Sequence, residues 1–170
     1  MQVEPPGHAP VVNDKPRDSK WFLDSACSNH MTGVQRDLAN FKQFNNDEPR
    51  YVTLADKSVV RAAGSGNLNV YLRDNNGKSV PVTFRDVMFV PKLEKRLISI
   101  GQLANRGAQV VFNRDSVKMR VAGKNFMFGH SYGNLYSMNC SVVASSNFTA
   151  NQTAFRASKF NNSDGCSTSV

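Results

Sequence analysis

Between residues 51 and 121, short runs rich in β-branched and aromatic residues alternate with turn residues. They are Tyr51-Val-Thr-Leu54, Val59-Val-Arg-Ala62, Leu68-Asn-Val-Tyr-Leu72, Val80-Pro-Val-Thr-Phe84, Val87-Met-Phe-Val90, Val110-Val-Phe112 and Val117-Lys-Met-Arg-Val121. Runs this short, broken at this spacing, predict a mainly β fold. Asp74-Asn-Asn-Gly77 supplies residues tolerant of positive φ, as a hairpin turn requires, and Ala122-Gly123-Lys124 can do the same. The one helix expected runs from Leu97 to Arg106 and stops at Gly107, where a left-handed cap is wanted.

The chain of 170 residues is long enough for one domain with a core. Residues 1–19, with Pro5, Pro6, Gly7, Pro10 and Pro16 among charges, read as a flexible linker. Residues 139–170, rich in Ser, Asn and Thr, read as a flexible tail, which leaves 20–138 as the domain. No apolar run approaches the ~20 residues of a membrane-spanning helix, so no membrane partner is expected. Met1-Gln-Val-Glu-Pro-Pro-Gly7 does not resemble a secretory signal, and Cys27, Cys140 and Cys166 are an odd number at no framework spacing. Both point to reduced thiols and a cytoplasmic setting.

The net charge of +8 raises the question of a nucleic-acid partner. Sixteen Lys and Arg against nine Asp and Glu fall between Trp21 and Met138, so the excess belongs to the domain. Only Lys92-Leu-Glu-Lys95-Arg96 clusters in the sequence, and it lacks interleaved aromatics. A solvated basic face and weak RNA binding both remain open.

Trp21-Phe-Leu-Asp24-Ser25-Ala26-Cys27-Ser28-Asn29-His30-Met31 runs an apolar strand into a carboxylate, a hydroxyl and two small residues. An aspartate at the end of a buried strand is either a structural cap or a group with a tuned pKa, and the motif alone does not choose.

The segment from Trp21 to Tyr136 resembles the protease region of copia-type long-terminal-repeat retrotransposon polyproteins. The likeness rests on Trp21 to Thr32, on Leu54-Ala-Asp-Lys-Ser58 with Gly64-Ser-Gly66, and on Asp86 to Pro91 followed by Leu97 to Leu103. It implies a retropepsin-like closed β fold with one short C-terminal helix that Ile100-Gly101 precedes, and a homodimer. Asp24 would be the catalytic aspartate, Ser25 and Ala26 would support its loop, and Cys27, Ser28 and Asn29 would lie beside the substrate. The hairpin from Tyr51 to Ala63, with Ala55, Asp56, Lys57 and Ser58 at its turn, would close over the substrate. An ordinary surface hairpin, or a closing role for Gly64-Ser-Gly66, is the alternative. The polypeptide cut would be the parent polyprotein, inside virus-like particles, with no cofactor and no metal.

Peptide hydrolysis of this kind needs two carboxylates about 3 Å apart sharing one proton. The chain supplies one such motif: Asp56 sits in a polar turn, Asp86 follows Arg85, and Asp115-Ser116 follows Asn113-Arg114. A two-fold homodimer would bring a second Asp24. Ala26 departs from the glycine usual at that position, which admits another function, a catalytically weak dimeric capsid-assembly or RNA-binding module on the same fold. Cys27 and His30 are three apart but have no third group marked to orient the base. A zinc site is not indicated either, since Cys140, Cys166, His8 and His130 show no paired spacing.

Overall fold

The computed structural model describes residues 19–53 and 57–143. Most of the expected linker and tail, together with Ala55 and Asp56, lies outside the described residues. The strands are β1 (Trp21–Asp24), β2 (Met31–Thr32), β3 (Ala39–Gln43), β4 (Arg50–Thr53), β5 (Val59–Ala62), β6 (Gly64–Asp74) and β7 (Ser79–Phe89). They continue as β8 (Arg96–Ser99), β9 (Gln109–Phe112), β10 (Ser116–Val121), β11 (Lys124–Tyr132), β12 (Leu135–Met138) and β13 (Ser141–Val142), with helix α1 (Ile100–Asn105) between β8 and β9.

The fold is mainly β and barrel-like, as the sequence predicts. Neighbouring strands follow the order β6, β7, β2, β8, β1, β12, β11, and β11 pairs again with β6, so the sheet closes. Closure removes exposed edges and leaves an interior for alternate side chains. Trp21, Leu68, Val70, Leu72, Ile98 and Phe128 fill it. Along β6 the burial alternates with period two from Gly64 to Leu72, so half of an 11-residue strand faces this core. β10 and β9 extend the sheet outward from β11, and β4 with β5 forms a separate two-stranded hairpin.

Both predicted turns form. Gly77 has φ +77°, while Ala122 and Gly123 have φ +48° and +73°, the left-handed pair that suits a two-residue hairpin. Gly64 and Gly66 serve close approach: a Cβ on Gly64 would overlap the Lys42 carbonyl and the Phe41 ring, and one on Gly66 would lie 2.8 Å from the Ala39 carbonyl. Strand β3, which pairs antiparallel with β6, therefore comes close to it at these two glycines.

Three expectations change. Leu97, Ile98 and Ser99 belong to strand β8, parallel to β1 in the register Leu23↔Ile98 and Asp24↔Ser99. Burial of Ile98 at 0% exposure outweighs local helix propensity. Only six residues from Ile100 are helical, with the Ser99 side chain capping the Gln102 N–H and Gly107 at φ +81° beyond the end. Ile100 and Gly101 thus lie inside the helix, and the helix is not C-terminal, because β9 to β13 follow it. The two runs around Arg85 and Asp86 are one strand, β7, with a register shift that places Asp86 at φ +60°. The chain also continues past Met138: Cys140 packs on the core and β13 pairs with β6.

Candidate functional site

Strand β1 buries Trp21, Phe22 and Leu23, and the chain reaches the surface at half-buried Asp24, with Ser25 and Ala26 exposed. The Ala26 N–H donates to Asp24 Oδ1 at 2.7 Å, an Asx-type turn that holds the carboxylate over its own loop. The Cys27 thiol contacts the Asp24 carbonyl oxygen at 3.5 Å.

The loop is braced from behind by Ser99, the residue beside Asp24 in the parallel register. Ser99 Oγ donates to the Cys27 carbonyl at 2.7 Å and accepts the Gln102 N–H at 3.1 Å. The Ser99 N–H donates to His30 Nδ1 at 2.9 Å, and Gln102 Nε2 donates to Asn29 Oδ1 at 3.0 Å. The start of α1 and the aspartate loop are thereby one hydrogen-bonded unit. Asn29 Nδ2 also donates to Ser28 Oγ at 3.1 Å, so three of the sequence-predicted residues share this unit.

His30 is fully buried beside the Phe84 ring, at 5.6 Å between centroids. Burial, with the Arg106 cation second, lowers its pKa to about 3. The imidazole is neutral, and with Nδ1 accepting, its proton sits on Nε2. An unfolded histidine takes up a proton near pH 6.5, so folding excludes that proton between about pH 6.5 and 3. Stability contributed above pH 6.5 should fall as pH drops through that window, by at most about 1.4 kcal/mol per pH unit from this group. Thermal melts from neutral to acid pH check it, with His30→Gln flattening the slope.

Burial, with the Asp24 charge second, raises the Cys27 pKa to about 11, so the group is a thiol at neutral pH. His30 Nδ1 is meanwhile engaged by Ser99. Cys27 and His30 are thus not prepared as a thiolate and its base. Cys27 instead packs against the buried cluster of Met31, Val52, Ala62, Val90 and Leu93. That cluster joins the aspartate loop to the β4–β5 hairpin. Lys57, at φ +65°, and Ser58 are exposed near its tip; Ala55 and Asp56 lie outside the described residues.

Asp24 and Ser25 line an open cleft of about 490 Å³ whose far wall includes Phe112, Leu135 and Tyr136, with Lys95 at its edge. The Phe112 and Tyr136 rings meet edge to face at 5.0 Å. Cys27, Ser28, Asn29, Lys57 and Ser58 are not among its lining residues. Phe112 and Leu135 are 41% and 44% exposed, and their sequence signal was weak, since apolar residues in strand-like runs read as core. Strands β11 and β12 also bring Ser137 Oγ to 3.2 Å from His130 Nε2, with Asn139 Oδ1 on the other ring nitrogen. Ser137 is 1% exposed, so no substrate reaches that hydroxyl.

The class is defined by a closed β barrel that presents one aspartate at the end of an apolar strand, in a loop braced by a helix start. Residues 21–108, just over half of the chain, match the family described as "Pol polyprotein, beta-barrel domain", and the chain belongs to that family. It is 27% identical over 95 residues to a protein of Arabidopsis thaliana, "Retrovirus-related Pol polyprotein from transposon RE1". The aligned stretch is 55% of this chain and 6% of that polyprotein, so the chain spans a small fraction of its relative's length. The family match takes in the Asp24 loop, the β4–β5 hairpin and the Ser99 brace. Phe112, Leu135 and Tyr136 of the cleft lie beyond it.

Proposed function

We propose that this domain is an aspartic endopeptidase, active when two copies bring their Asp24 carboxylates together, and that it cuts the retrotransposon polyprotein carrying it. The observation that carries the reading is the Asp24 carboxylate at the exposed end of a buried strand. Its loop is fixed by Ser99, its neighbour Ser25 is exposed where a second subunit could reach it, and it lines a cleft of mixed polarity that includes Phe112, Leu135 and Tyr136. One carboxylate of the pair would take the proton of a water while the other gives its proton to the scissile carbonyl oxygen.

Ala26 fits this role. Its φ is not among the positive values found at non-glycine residues, and its side chain is exposed, so alanine costs no backbone strain here. Ala26→Gly is therefore expected to keep the fold and to keep or raise peptidase activity, by no more than a few fold. A large loss in the same assay would mean that the methyl group packs against the partner loop.

The test is hydrolysis of polyprotein-derived peptides with and without a statine-type inhibitor, which mimics the hydrated carbonyl. Inhibited hydrolysis with a bell-shaped optimum at mildly acid pH is expected, because a dyad sharing one proton works between two separated apparent pKa values. Hydrolysis indifferent to the inhibitor, or flat well above neutrality, would contradict it.

A further inference from the structure

Cations that the sequence scatters are gathered by the fold on one outer surface of the barrel. In β10 the buried residues are Val117, Met119 and Val121, so Lys118 and Arg120 project outward. Met127 lies opposite Lys118 on one side and opposite Arg73 on the other, and Asn125 lies opposite Arg120. Directly paired residues share a face of the sheet, so Arg73, Lys118 and Arg120 stand on one outer surface. At the end of that surface the two hairpin turns bring Lys78 and Lys124 to a cleft of about 650 Å³, together with the amides of Asn75, Asn76 and Asn125.

None of these five cations is ion-paired to a carboxylate among the described residues. The carboxylate that lines the same cleft, Asp74, is committed to its own turn, accepting the Asn76 and Lys78 N–H groups at 2.9 Å each. By contrast, the one cluster visible in the sequence disperses: Arg96 is buried on Asp37, and Lys95 goes to the Asp24 cleft.

We propose that this outer face of β6, β10 and β11, with the cleft at its end, is a docking surface for single-stranded RNA. Lys118 and Arg120 are about 7 Å apart along one strand, and Arg73 and Lys118 about 10 Å apart across two strand spacings. That is a ladder of point charges for successive phosphates. The amides supply partners for base edges and for 2′-hydroxyls, and it is the 2′-hydroxyl that separates RNA from DNA. An acidic protein would instead want a continuous apolar centre, and here the exposed apolar residues Met127 (37%) and Val111 (44%) lie on either side of Lys118, which separates them. Tyr71, two residues from Arg73 on the outward side of β6, is half-buried, so binding should be mainly phosphate-driven and tolerant of sequence. The cleft at the end of this surface is separate from the Asp24 cleft, since Lys124 and Tyr132 mark the two ends of β11 and Tyr132 pairs with Leu135 of the Asp24 cleft; Lys118 stands nearer, opposite Val111 beside Phe112.

The experiment is fluorescence anisotropy of a labelled oligouridylate with the full chain across a salt series. The slope of log K against log salt should lie at roughly −2 to −3.5, for three to five phosphates at about −0.7 each. K118S/R120S/K124S should weaken binding at least about tenfold at low salt and flatten the slope by about 2, with an unchanged Tm, because all three side chains are exposed. Asp24→Asn should bind RNA as the wild type does, so loss of one activity does not imply loss of the other. Equal affinity for DNA of the same sequence, tighter binding of polyglutamate, or wild-type affinity and slope in the triple variant would each overturn the proposal.

Discussion

Asp37→Ala is expected to destabilise the domain by about 3–5 kcal/mol and to lower Tm by roughly 10–20 °C. Arg96 is 7% exposed, and its Nε and Nη2 lie 2.6 and 3.1 Å from the two oxygens of Asp37. The Thr32 hydroxyl, also buried, donates to Asp37 Oδ2 at 2.7 Å and accepts the Val34 N–H at 3.0 Å. Truncation therefore leaves a guanidinium in the interior without its carboxylate and a hydroxyl without its acceptor. Removing one partner of a buried pair costs far more than the pair contributes net, because the remaining charge has lost its hydration as well as its counter-ion. The loss also spreads. Arg96 opens β8 opposite Trp21, so the ion pair anchors the strand that carries Ser99 to the aspartate loop. Asp37→Asn keeps the shape and one acceptor and should fall between wild type and alanine. Circular-dichroism melts decide it, and a Tm within about 2 °C of wild type would mean that water already solvates this pair.

The β class, both hairpin turns and the position of Asp24 at a strand end were legible because each rests on a local signal. Those signals are β-branched runs, residues that tolerate positive φ, and an apolar run ending in a carboxylate. The start of α1 was not legible, because Leu97, Ile98 and Ser99 fit either period and their pairing partner, β1, lies more than seventy residues earlier. Strand β11 was hidden for a related reason. Gly129 breaks its alternation, and the need for that glycine is tertiary: a Cβ there would meet the Ser137 carbonyl at 2.6 Å and the Leu23 side chain at 3.1 Å. The Ser99 brace joins residues 72 apart, and the aromatic wall of the cleft comes from β9 and β12. Non-local pairing decides both, and no window of sequence contains it.

The largest functional effect should come from Asp24→Asn. Asparagine keeps the size of the side chain, and Oδ1 can still accept the Ala26 N–H, so the loop and the fold should survive. What disappears is the capacity to exchange a proton with water and substrate. General acid–base catalysis of this kind is worth roughly 10²–10⁴ in rate, and a site that needs two carboxylates loses both roles when each subunit carries the amide. Peptidase activity should therefore fall by at least that factor with Tm unchanged.

That variant also gives the most direct test of the shared site. Wild type and Asp24→Asn would be mixed in varying ratio at fixed total concentration, well above the dimer dissociation constant, and peptidase activity followed against the wild-type fraction. If each active site takes one Asp24 from each of two subunits, activity follows the square of that fraction, and an equal mixture retains about one quarter of the full rate. Activity proportional to the wild-type fraction, with about one half retained in the equal mixture, would show that each subunit works alone and would contradict the shared site.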